Sequence, residues 1–187
     1  MPRPVFLAAF VLTVAIVVFG AVGLQLARRQ ADPAAVGAQL LANGDDRAAI
    51  TPLLRAVTLQ PDDAWSHYRL GLAYAHVGWH RAALQQFRTA ARLAPESAEF
   101  HAALGCGYHE TGDLPIAVTE LEQATRLAPA EARHRYRLAG VLSELGRRGE
   151  ATKQLQAARE RAPAAPTPRD MDPCTLPAAS SAIAPTR

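Results

Sequence analysis

The chain has 187 residues and a formal net charge of +3, from 20 Lys and Arg against 17 Asp and Glu. Two cysteines exclude a disulfide-rich framework and a zinc module with four cysteine ligands. A charged fraction of 20% beside 49% hydrophobic residues excludes a chain that is disordered throughout. The length allows one domain, or one domain with appended segments.

The first segment of the chain is almost entirely apolar. A helix over residues 5–24 would be roughly 30 Å long, at about 1.5 Å per residue, which matches the hydrocarbon core of a bilayer. We therefore predict a membrane anchor at residues 1–29, with a single transmembrane helix. A cleaved signal peptide is the alternative, because small residues at 21–23 suit cleavage, but the apolar run exceeds the usual signal core.

The orientation of this anchor depends on its flanking charges. Arg3 lies before the apolar run, and Arg28 and Arg29 follow it, so the two ends are nearly balanced. A three-residue leader is easily left in the cytoplasm, whereas the double arginine acts in the opposite direction. We expect a single-pass membrane protein whose remaining residues lie on the extracytoplasmic, periplasmic side.

From residue 30 to residue 165 the chain repeats every 34 residues. Each unit has two runs of apolar residues at helical spacing, separated by a glycine and closed by a proline. This pattern predicts four helix hairpins, at 30–63, 64–97, 98–131 and 132–165. The recurring residues are Gly44, Gly78, Gly112 and Gly146; Pro61, Pro95, Pro129 and Pro163; and Ala49, Ala83, Ala117 and Ala151.

The recurring residues have physical roles in such a hairpin. The glycine ends the first helix, because a left-handed conformation costs little only for glycine. Asp45 and Asp113 follow that glycine and are predicted to cap the second helix. Pro115 suits a first helical turn, and the closing proline stops the second helix. Gly71 and Gly105 would let paired helices approach closely.

The end of the chain has a different composition. Residues 163–187 contain six prolines and many Ala, Ser and Thr, which forbids a helix of useful length. We expect a disordered Pro/Ala-rich tail at residues 166–187.

The second unit carries the clearest motif, which reads Leu70-Gly71, Tyr74, Gly78, Ala83, Phe87, Ala90 and Pro95. This motif resembles the tetratricopeptide repeat (TPR) family, and the resemblance extends over residues 30–165. It implies an all-α fold, a right-handed α-solenoid of four TPR helix hairpins, here preceded by the predicted N-terminal transmembrane helix. It also implies the usual role of the family, which is to hold protein or peptide ligands.

In this family the first helix of each unit lines a concave groove. Aromatic residues and arginine dominate binding hot spots, so Trp65, Tyr68, Tyr136 and Arg133 are the leading candidates. The alternative for Trp65 and Tyr68 is packing between helix pairs. The resemblance implies that the groove is lined by Trp65, Tyr68, Leu72, His76, Glu99, Cys106, His109, Glu110, Arg133, Tyr136, Ser143 and Glu144.

A metal- or haem-handling module is the second functional hypothesis. Cys106 and His109 are three residues apart and share one helix face, and His76 lies on the neighbouring first helix. A cysteine and two histidines can bind zinc or copper. The alternative is an apolar thiol beside two polar histidines. His67 and His101 share one position of the repeat, which is expected to be structural.

Enzymatic and nucleic-acid functions find little support in the sequence. There is no nucleophile elbow and no glycine-rich phosphate loop, so we expect no catalytic residue and no cofactor. Acidic residues interrupt the basic cluster of the fourth unit, which favours a solvated face or an acidic protein partner over nucleic acid. The basic residues are Arg133, Arg135, Arg137, Arg147 and Arg148, and the acidic ones are Glu131, Glu144 and Glu150.

The prediction for function is therefore a membrane-anchored TPR scaffold or adaptor. It would capture a protein or peptide in its groove during assembly of a bacterial cell-envelope complex, and its mechanism would be binding.

Overall fold

The computed structural model describes residues 32–161. Within that range it contains eight α-helices and no strand, which confirms the prediction of an all-α fold. The helices are α1 (Pro33–Ala42), α2 (Asp46–Leu59), α3 (Ala64–His76), α4 (His80–Leu93), α5 (Ala98–Glu110), α6 (Leu114–Leu127), α7 (Ala132–Glu144) and α8 (Arg148–Arg161).

Consecutive helices pair into four hairpins, and each predicted 34-residue unit contributes one of them. The turn inside each hairpin contains the recurring glycine, whose φ lies between 76° and 89°. This left-handed conformation disfavours any residue with a Cβ atom. The glycine therefore recurs because the backbone of the turn requires it.

Replacing Gly112 by alanine is expected to lower the free energy of unfolding by about 1 kcal/mol. Its φ is +89°, and an added Cβ would meet nothing within 4 Å, so backbone strain is the only cost. Urea unfolding followed by circular dichroism measures the change. Gly149→Ala is the matched control. Gly149 lies in α8, its φ is not positive, and a Cβ added there would also meet nothing within 4 Å. Equal destabilisation by both substitutions would contradict the argument.

The helix termini differ in part from the sequence prediction. Asp63 accepts hydrogen bonds from the Trp65 and Ser66 amides, both at 3.2 Å, and caps α3. The predicted caps Asp45 and Asp113 stand at the right positions, but their side chains make no capping hydrogen bond. The amides of the glycine turn donate to carbonyls of the preceding helix, as Asp113 N–H does to Tyr108 at 2.9 Å, so the turn caps the C-terminus of that helix and not the N-terminus of the next one.

Prolines act as predicted at the ends of the described units. Pro115 lies in the first turn of α6, where a missing amide hydrogen costs little. The helices α2, α4 and α6 end shortly before a recurring proline, and the residue directly before it leaves the helical region, as with Ala94 at φ −137° and ψ 78°.

The two helices of a hairpin approach closely because one of them carries small residues. A Cβ added to Gly71 would lie 2.5 Å from a ring carbon of Phe87, and one added to Gly105 would lie 2.7 Å from Cγ of Leu121. Phe87 and Leu121 are fully buried and anchor the second and third hairpins. The predicted close approach is therefore confirmed.

The second helix of each hairpin packs against the first helix of the next one, and neighbouring first helices are also in contact. The pairs α1–α3, α3–α5 and α5–α7 are in contact, whereas within residues 32–161 no two second helices make more than marginal contact. The first helices therefore lie on the tighter side of the stack, which we call the inner face. It comprises the outward surface of α1, α3, α5 and α7.

Two predicted segments lie outside the described residues. They are the membrane anchor at 1–29, with its orientation, and the tail at 166–187. None of the helices between residues 32 and 161 is both long and apolar enough to cross a bilayer.

Candidate protein-binding face

The structure divides the twelve predicted groove residues into two sets. Eight have half-buried or exposed side chains on the first helices. The other four are buried. The first set is Trp65, His76, Glu99, His109, Glu110, Arg133, Ser143 and Glu144, and the second is Tyr68, Leu72, Cys106 and Tyr136.

The expectation that all twelve predicted groove residues are available to a ligand is wrong for the four buried ones. Tyr68 is 1% exposed and Tyr136 is 5% exposed. Leu72 packs in the same apolar cluster as Tyr68, and Cys106 is fully buried in a second cluster with Leu138 and Val141. Side chains from the next hairpin cover Tyr68, Leu72 and Cys106, whereas Tyr136 packs against Ala158 and Leu155 of α8 in its own hairpin.

An aromatic cluster fills the junction between the second and third hairpins. The ring centroids of Trp65 and Phe100 are 5.0 Å apart in an edge arrangement, and those of Tyr68 and Phe100 are 5.3 Å apart. Tyr68 also lies 6.1 Å from Phe87 across its own hairpin. Such pairs add stability beyond the burial of area. Tyr68 therefore packs between helix pairs, which was the alternative to exposure in the groove. Trp65 is half-buried at the edge of the cluster.

A polar chain crosses three hairpins at the first turns of the inner helices. The Tyr68 hydroxyl donates to Glu99 Oε1 at 2.9 Å, and Glu99 Oε2 lies 3.0 Å from Nη2 of Arg133. Burial and the Glu99 carboxylate hold the pKa of Tyr68 well above its usual value, so the phenol keeps its proton. The Arg133 side chain is 41% exposed and also lies 3.4 Å from a Glu131 oxygen.

Two further polar side chains on α7 are buried. His134 is 1% exposed and Arg137 is 5% exposed. Burial, and next to it the positive charge of Arg137, lowers the pKa of His134 to about 4. The prediction of a solvated face or a surface for an acidic partner is wrong for Arg137, because its side chain is buried. His134 was not among the predicted residues, although the 34-residue register aligns it with buried Phe100.

Histidine–carboxylate contacts join the hairpins at the other end of the inner face. His76 Nδ1 lies 2.8 Å from Asp46 at the junction of the first two hairpins. His109 Nε2 lies 2.9 Å from Glu144 at the junction of the last two, and His109 Nδ1 lies 3.6 Å from Glu110. Among the predicted groove residues, His109 and Glu144 are therefore paired between helices, whereas His76 is paired with Asp46, which was not predicted.

The three candidate metal ligands do not form a metal site. Cys106 is fully buried, while His76 and His109 each contact a different carboxylate. Among residues 32–161 no group of three or more His, Cys, Asp or Glu side chains is arranged to hold a metal ion. The metal-handling hypothesis therefore lacks its ligand set in the described part of the chain.

His67 and His101 form equivalent ties, each joining the proline that closes the preceding unit to the second helix of its own hairpin, so the prediction of a structural role for their shared position is confirmed. His101 bridges the Pro95 carbonyl at 2.9 Å and Glu120 at 2.7 Å. His67 bridges the Pro61 carbonyl and Gln86 in the same way.

Comparison with known proteins identifies the class of this chain. A TPR repeat profile matches residues 37–78, and a second tetratricopeptide repeat profile matches residues 66–97. Together with the four hairpins, these matches show that the chain carries tetratricopeptide repeats within residues 37–97. Proteins of this kind are in general non-enzymatic scaffolds for other proteins.

Solved structures share the fold. MamA from Desulfovibrio magneticus RS-1 superimposes with a TM-score of 0.67 at 21% identity, over 71% of this chain and 77% of that one. YrrB, described as a TPR protein with an unusual peptide-binding site, superimposes with a TM-score of 0.61 at 22% identity, over 68% of this chain and 66% of its own. A search of the curated proteins gave no match.

Proposed function

We propose that this protein is a membrane-anchored scaffold that holds a segment of a partner protein on its inner face during assembly of a cell-envelope complex. The observation that carries the proposal is the composition of that face. A half-buried tryptophan and a 41% exposed arginine border it at one end, and exposed carboxylates border it at the other.

Each part of the face suits a bound peptide. Trp65 offers rigid aromatic area at low entropic cost, and Arg133 offers a forked donor for carbonyl or carboxylate groups. Exposed Ser143 and Glu144 lie near the far ends of the inner helices, and they can accept hydrogen bonds from a peptide backbone. The peptide-binding site of YrrB, on a similar fold, is consistent with this assignment.

The proposed membrane anchor is inferred from the apolar sequence of residues 5–24. An uncharged run of this length matches the thickness of a bilayer, so the chain would be tethered to the membrane. A partner captured there would itself be a membrane or envelope protein.

Site-specific photocrosslinking tests both parts of the proposal in one preparation. A benzophenone amino acid at Ser143 is expected to form a covalent adduct with a partner protein in membranes washed at alkaline pH. At Gln85, an exposed position on α4 away from the inner face, it is expected to give none. Mass spectrometry identifies the adduct. Arg133→Ala should weaken it about tenfold, since a charged hydrogen bond is lost.

The results separate the two claims. Equal labelling from Ser143 and Gln85, or none from either, would contradict the inner-face assignment. Release of the full chain by the alkaline wash would contradict the anchor alone. Arg126→Ala is the matched control for Arg133→Ala, because Arg126 is exposed on α6 and hydrogen-bonds only to neighbouring Gln123 in the described part of the chain.

A further inference from the structure

An exposed tryptophan lies in the glycine turn of the second hairpin. Trp79 is 50% exposed, and its ring packs against Tyr74 at a centroid distance of 5.6 Å. An apolar contact of this kind often accompanies a glycine turn. The corresponding positions of the other three turns carry Asp45, Asp113 and Arg147, so the turn does not need an aromatic ring. Half of the indole side chain is therefore exposed at a position where a polar residue is sufficient.

A cleft lies beside Trp79, at the junction of the second and third hairpins. Its volume is about 490 Å³, and it is lined by the start of α4 and the end of α5. Ile116 lies in the first turn of α6, at the same edge of the stack as the glycine turns, and is 45% exposed. The cleft and the two apolar side chains form a surface that we call the turn patch. It comprises Trp79, His80, Arg81, Glu110 and Ile116.

The charged groups of the turn patch are not fully used by the fold. The exposed side chain of Arg81 makes no ion pair or hydrogen bond with any residue from 32 to 161. The oxygens of Glu110 lie 3.7 Å from His80 Nδ1 and 3.6 Å from His109 Nδ1, which is too far for a hydrogen bond. The patch therefore presents one guanidinium and one carboxylate that are both available to a partner.

We propose that the turn patch is a self-association surface, on which a second copy of this chain docks about a two-fold axis. In a two-fold interface the same surface is used by both copies, so each contact between two different residues occurs twice. Arg81 of one copy meets Glu110 of the other, and the same pair forms again across the axis. The exposed parts of Trp79 and Ile116 are removed from water, which drives the association.

The charges of the patch favour a second copy over a strongly charged ligand. The formal charges of Arg81 and Glu110 cancel, so neither a phosphate nor a highly acidic or basic peptide is attracted by the patch as a whole. A surface with one cation and one anion is complementary to itself after a half-turn. The residues proposed to hold a partner segment are Trp65, Arg133 and Ser143, and none of them belongs to the patch. Self-association therefore leaves the inner face free.

Charge reversal tests the proposal in the full-length protein, purified in detergent. Sedimentation velocity over a range of protein concentrations measures the dissociation constant of the dimer. Arg81→Glu and Glu110→Arg are each expected to weaken the dimer about tenfold or more, because each like-charge contact occurs twice. The double variant restores both pairs with the charges exchanged, and its constant is expected to return to within about threefold of the parent value. A variant that dimerises again has also kept its fold.

Arg126→Glu is the matched control for these reversals. Arg126 is exposed on α6 and hydrogen-bonds only to Gln123 in the described part of the chain, so its reversal should leave the dissociation constant within about twofold. Photocrosslinking then identifies the occupant of the patch in native membranes. A benzophenone amino acid at Ile116 is expected to give an adduct of twice the chain mass, in which peptide mass spectrometry finds this chain alone.

Several results would overturn the proposal. The parent protein could be monomeric at every concentration, or either single reversal could leave the dimer unchanged, as for a dimer held by another surface. A double variant as weak as the single ones would show that Arg81 and Glu110 do not meet. Oligomers that keep growing with concentration would contradict a closed two-fold pair. An adduct of Ile116 with another protein would assign the patch to that protein, and a link within one chain to residues 162–187 would assign it to the tail.

Discussion

Replacing Phe87 by alanine is expected to lower the free energy of unfolding by about 4 kcal/mol. Phe87 is fully buried in the central apolar cluster, where its ring contacts the Gly71 position within the hairpin and the Gly107 position of the next one. Its removal opens a cavity at the junction of two hairpins. Chemical denaturation followed by circular dichroism measures the loss.

Leu59→Ala is the control for this substitution. Leu59 is 67% exposed at the end of α2, so its truncation removes little buried area and should change stability by less than about 0.5 kcal/mol. Because a repeat array is stabilised by contacts between neighbours, loss of one central junction should also broaden the transition. A change below about 1 kcal/mol for Phe87→Ala would show that the cluster is not the centre of the core.

The free energy of unfolding is expected to fall as the pH is lowered from about 6.5 to about 4, and His134 is the cause. Burial and the charge of Arg137 lower the pKa of His134 to about 4 in the folded state, whereas an unfolded chain has the ordinary value near 6.5. Between these values the unfolded state binds more protons, so acid favours unfolding. The contribution totals on the order of 3 kcal/mol, from 1.36 kcal/mol per pKa unit.

Comparison with His134→Gln isolates this contribution from other titrating groups. Glutamine does not titrate, so the stability difference between the parent and the variant should shrink as the pH falls through this window and stay constant above about 7. Urea unfolding at several pH values between 4 and 8 gives the two curves. A difference that is independent of pH would show that His134 titrates normally in the folded protein.

The hairpins were accessible from the sequence because the features that define them are local. A glycine with positive φ, a residue forced out of the helix before proline and apolar positions at helical spacing all act within a few residues. Because the same glycine, proline and apolar positions recur in all four units, each unit supports the assignment of the others. The bounds of the helices therefore follow the predicted units closely.

The candidate site was predicted less well, and particular residues show why. The family pattern places Tyr68, Leu72, Cys106 and Tyr136 on the same helix faces as Arg133. Such a face can be covered by the next hairpin, as at Tyr68, or by the second helix of its own hairpin, as at Tyr136. Whether it is covered depends on the size of the side chains across the junction. The large Phe100 ring beside Tyr68 closes that position, as their centroid distance of 5.3 Å shows.

The sequence by itself determined that this protein is a stack of four TPR-like helix hairpins, because backbone conformation and the spacing of apolar residues depend on the local sequence. Only the tertiary structure decided that Arg137 and His134 lie buried side by side, and that Glu99 is shared between Tyr68 and Arg133. Burial and ion pairing are set by side chains that come from helices more than thirty residues apart. No local sequence pattern shows whether a charged side chain has an ion-pair partner in the fold.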